Sequence, residues 1–160
     1  TADEAETEAA PGAAVAAAPA PKKSRRPAMM NVAVSDLEPQ GVSASDAAVV
    51  ADMLRGELVK TGSVIVLERQ NMQKVMAEQA FQQTGCTSAE CAVKLGKVLN
   101  VQRIITGSVG KLGDMYFVNV RIVDVESGSM VWSDRAEAKV VSALAKELPS
   151  LAQRLAKKMK

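Results

Sequence analysis

Three strand-like runs separated by two tight turns, between residues 101 and 138, constrain the fold of this chain more than any other feature. Val101 to Val109 is apolar and β-branched, and Gly113-Asp114 behind it is a two-residue hairpin signal. Tyr116 to Val125 sets Tyr116, Val118, Val120 and Ile122 against Asn119 and Arg121. That period of two belongs to a strand with one buried face. The alternation slips at Val123-Asp124, where a bulge is expected. Glu126-Ser127-Gly128 then turns the chain into a last strand, Ser129 to Ala138. Three such runs in succession predict antiparallel neighbours.

Upstream the pattern changes to strands separated by helices. Asn31 to Leu37 reads as a short strand closed by Pro39-Gln40-Gly41. Ser43 and Asp46 stand three apart, as in a capping box, ahead of Val50, Leu54 and Leu58 at helical spacing. Gly62 is a natural stop, and Ser63 to Leu67 is a second short strand. Glu68 opens a helix with Met72, Val75 and Met76 on one side, ended by Thr84-Gly85. Thr87 and Glu90 make a second capping box, followed by Cys91, Leu95 and Val98 on one face. After the meander, Leu144, Leu148, Leu151 and Leu155 mark an amphipathic helix over residues 140–160, which Pro149 is expected to kink or split. The order β-α-β-α-α-β-β-β-α predicts an α+β domain over residues 29–160. Its single mixed β-sheet carries helices mainly on one face, an anticodon-binding-domain-like arrangement.

Residues 1–28 differ. An acidic head (Asp3, Glu4, Glu6, Glu8) leads into an Ala/Pro stretch and then Lys22, Lys23, Arg25 and Arg26. With few large apolar side chains to offset ordering entropy, this segment is expected to be a disordered, semi-extended tether. The basic cluster reads as a solvated linker end, or as a weak contact to an anionic membrane surface.

Chemistry is scarce. The chain has no histidine, so the commonest general base and metal ligand is absent. Net charge is +2 from 20 basic and 18 acidic residues, which does not favour a dedicated nucleic-acid binder. The two cysteines, Cys86 and Cys91, cannot complete a zinc site alone and are spaced wider than a redox Cys-x-x-Cys pair. Two readings stay open: reduced structural thiols, or a local disulfide that pins the start of the following helix and places the protein outside the reducing cytosol. Gly107 to Lys111 fails as a phosphate loop, since Ile105 and Leu112 stand where glycine and Ser/Thr belong. It reads as a strand whose glycines mark a bend or a close approach. Asp114, Asp124, Glu126 and Asp134 read as solvated turn or strand positions, although a carboxylate pair acting on a glycan is the enzymatic alternative. A cytosolic nucleic-acid-binding or regulatory module using Lys22 to Arg26 is another. Met29 and Met30 at the domain edge, with Tyr116 and Trp132, are the candidate contact residues. No cofactor is implied.

Several of these segments, in this order, resemble the CsgG/LpoB/TolB-N-terminal-like group of bacterial envelope domains. They are Val32-Ala33-Val34-Ser35-Asp36-Leu37, Val64-Ile65-Val66-Leu67-Glu68-Arg69, and Glu78 with Gln83-Thr84-Gly85-Cys86. Leu95-Gly96-Lys97, Ile104-Ile105-Thr106-Gly107-Ser108-Val109 and Val120 to Gly128 complete the set. The resemblance covers about two-thirds of the chain. It implies a mixed sheet flanked by helices, export to the periplasm, often a lipid anchor to the outer membrane, and no catalysis. It also implies partners that are other envelope proteins, which such domains assemble or regulate. The strand connections are too short for the membrane-spanning hairpins of the curli pore, so the resemblance does not extend to a pore.

Overall fold

The computed structural model describes residues 29–78 and 88–159. Elements follow in the order β1 (Met30–Val34), β2 (Glu38–Gln40), α1 (Ala44–Lys60), β3 (Val64–Val66), α2 (Arg69–Glu78) and α3 (Ala89–Leu99). Then come β4 (Arg103–Leu112), β5 (Met115–Asp124), β6 (Met130–Ala138) and α4 (Val141–Lys158). The fold is α+β with one mixed sheet in the order β3-β1-β4-β5-β6. β1 pairs parallel with β3 and β4, and β4, β5 and β6 form the expected antiparallel meander.

Local signals act where the residues suggest. Ser43 Oγ accepts from the amide of Asp46 at 3.0 Å and starts α1. Leu112 and Met115 are register partners, so Gly113-Asp114 is the whole turn. Only Gly113 takes a positive φ (58°), as a type II′ turn requires at its first central residue. Gly107 marks a close approach: a Cβ there would sit 1.9 Å from the Asn119 carbonyl oxygen.

Four expectations are corrected. The strand read as Asn31 to Leu37 stops at Val34, and β2 resumes the pairing with β4 at Glu38–Gln40. The gap leaves the Val34 carbonyl to Arg55, whose Nε and Nη2 donate to it at 3.2 and 2.7 Å. α3 is capped by Ser88, whose Oγ accepts from the Cys91 amide at 3.2 Å, one residue beyond the expected Thr87. Thr87 itself lies outside the described residues. α4 runs through Pro149 as one helix. A proline inside a helix costs about 3 kcal/mol, while each fully buried leucine contributes about 2 kcal/mol. Leu144, Leu148, Leu151 and Leu155 are all completely buried, so packing wins.

The fourth correction concerns the helices. α1 and α4, the two long ones, pack on one face of the sheet, and α2 and α3 on the other. The strand order explains this. β1 to β3 steps one way along the sheet, and β3 to β4 steps back past β1. Both connections join parallel strands, and right-handed crossovers in opposite directions must place their helices on opposite faces. The first face buries Val32, Val34, Leu54, Leu58, Ile105, Val118, Val120 and Ile122 beneath α1 and α4. The second buries Ala33, Ile104, Val123 and Val125 against Met72, Ala92, Leu95 and Leu99. The irregularity expected near Val123 falls between Ile122 and Val123, where the partner numbers skip Val131 on β6.

Candidate interaction face

Among the described residues, the apolar side chains of the meander's second face are buried where α3 reaches them. Along β5, Val123 is buried there, and Val125 just beyond the strand is buried as well. Two and four residues before Val123 on the same face stand Arg121, exposed, and Asn119, half-buried. β4 follows the same gradient, from buried Ile104 to half-buried Ser108. On β6 the matching positions are Ser133, Arg135 and Glu137, all exposed, opposite Arg121, Asn119 and Phe117. The meander therefore presents a polar platform at this end.

Two open depressions lie on the platform, of about 570 and about 310 Å3, sharing Asn119 and Arg135. The larger is bounded by Arg121, Ser133 and Glu137. The smaller extends over Phe117 and Gly110 to Gln40 and Leu112. The Arg135 guanidinium stands over the Phe117 ring, 5.5 Å from its centroid, and its Nε lies 2.9 Å from a Glu137 carboxylate oxygen. Asp134 also borders the larger depression, but its carboxylate accepts from Arg154 on α4.

A second charged group braces the C-terminal end of β1. Arg55 is nearly buried and pairs with Asp52 and, at 3.3 Å, with Asp36. Arg69 lies 3.6 Å from Asp36 and 3.4 Å from Asp52. Two arginines thus meet two aspartates and tie β1, α1 and α2 together. With each charge answered, the group reads as a brace.

The candidate contact residues do not form one patch. Met29 is 43% exposed ahead of β1, while Met30 is half-buried against the first-face core. Tyr116 and Trp132 also pack against that core, and the Lys111 ammonium lies 5.3 Å from the Tyr116 ring centroid. Trp132 pairs with Ile122, six residues along β5 from Tyr116, a separation of about 20 Å. Cys91 is half-buried on α3 against the second-face cluster. Cys86 lies outside the described residues, as do Lys22, Lys23, Arg25 and Arg26 and the expected tether.

The meander carboxylates do not converge either. Asp114 and Asp124 stand at opposite ends of β5, about 30 Å apart. Asp124 caps the following turn: its Oδ1 accepts from the Ser127 amide at 2.8 Å, and its Oδ2 meets Arg103 at 2.7 Å. The Ser127 amide is the main cause that holds its pKa below the ordinary 3.8, with the Ser127 hydroxyl and the Arg103 charge adding to it against partial desolvation. Among the described residues no group of three or more cysteines and carboxylates could hold a metal ion. None of the described helices is long and apolar enough to cross a membrane.

Asn119, Arg121, Ser133 and Arg135 were not singled out as contact residues by sequence reasoning. The signal was present in the polar half of the Tyr116–Val125 alternation, on the face that no described helix covers there.

A profile of the family described as curli production assembly/transport component CsgG matches residues 31–115, just over half of the chain. No curated protein matches it. Several solved structures share the fold. The LpoB C-terminal domain from Escherichia coli is 13% identical with a TM-score of 0.58, over 68% of this chain and 82% of that one. Lipoprotein GNA1162 from Neisseria meningitidis is 13% identical with a TM-score of 0.60, over 82% and 99% of the two chains. PelC from Paraburkholderia phytofirmans, solved as a dodecamer, is 16% identical with a TM-score of 0.52, over 82% and 88%.

Proposed function

This chain belongs to the CsgG family, and from that premise we propose that it is a non-catalytic bacterial envelope protein that holds or regulates another envelope protein. The family match carries the reading. The polar platform of the meander supports it, because side chains fixed on a sheet face that no described helix covers suit contact. The carboxylates are scattered, and Asp124 and Asp134 are engaged by other groups, so they give the glycan-acting alternative no support.

The proposed location is the periplasm, with residues 1–28 as a tether that keeps the domain clear of the outer membrane. The lipoprotein character of the neisserial structure supports this. A Cys86–Cys91 disulfide belongs to the same reading: it would fix the start of α3. Closing so short a loop contributes about 2 kcal/mol.

Affinity capture from solubilised, cross-linked bacterial envelopes tests the partner. Recovery of one envelope protein in near-stoichiometric amount is expected. Recovery of none overturns the reading. Thiol titration of unreduced native material tests the compartment, with no reactive thiol expected and two reactive thiols contradicting it.

A further inference from the structure

We draw no further inference here: the strongest candidate, the open depression over Gly110, Leu112, Phe117 and Arg135 at the polar end of the second sheet face, carries nothing, because nothing in the structure shows what covers it.

Discussion

The two ends of the sheet's second face share strands but differ in cover. At one end α3 lies on Ile104, Val123 and Val125, and all three are buried. At the other, the same face of the same strands carries Ser108, Asn119 and Arg121, half-buried or exposed. The opposite face shows no such change, since Val118, Val120 and Ile122 are buried along the length of β5. The difference teaches that one sheet can be split between two tasks. Stability comes from the face sealed by α1 and α4, and no described helix covers the polar end of the other face. Substitution there costs the fold little.

Breaking the sealed face has the largest effect. Leu148 is completely buried between α4, α1 and the sheet, so Leu148→Ala should destabilise by about 3–4 kcal/mol in urea unfolding. The covered end of the second face should be next. A Cβ on Gly96 would stand 2.3 Å from a Val125 methyl, so Gly96→Ala forces α3 away from β5. Overpacking costs about 1–3 kcal/mol, and the better helix propensity of alanine returns up to about 1 kcal/mol, so a net loss of about 1–2 kcal/mol is expected by thermal unfolding.

Asp124 sits at the end of β5, where the covered region meets the turn. Its native pKa lies below its ordinary value of 3.8. The unfolded state therefore binds the proton first. The stabilisation is complete above the ordinary carboxylate range and is lost as pH falls through the depressed native value. Asp124→Asn should lower stability at neutral pH by about 1 kcal/mol and flatten the acid limb of the stability–pH curve. An unchanged acid limb contradicts the capping role. The bare end should show the smallest effect: Arg121→Thr should stay within about 0.5 kcal/mol of the parent in the same unfolding measurement.

Much of this division was legible in the residues. Polar Asn119 and Arg121 between buried valines mark a strand with one dry face, and the change to Val123 and Val125 marks where a helix covers the other. Periodicity gave the four helices, because Leu54, Met72, Leu95 and Leu148 recur with their neighbours at helical spacing. The placement of α2 and α3 opposite α1 was not legible, since it depends on strand order, which no local pattern encodes. Nor was the break after Val34, because it depends on Arg55, 21 residues away in sequence, capturing a carbonyl. The kink expected at Pro149 fails for a related reason: local propensity loses to four leucines of α4 packed against distant elements. Of the candidate contact residues, Met30, Tyr116 and Trp132 pack partly against the core, a long-range contact that their local pattern does not encode.

Site-specific photo-crosslinking in intact envelopes compares the two tasks most directly, with the photoreactive residue placed either at Ser133 on the bare face or at exposed Ser142 on α4. The account predicts a protein adduct from position 133 and none from 142. Adducts from 142 alone, or equally from both positions, would contradict the assignment of contact to the uncovered end of the sheet.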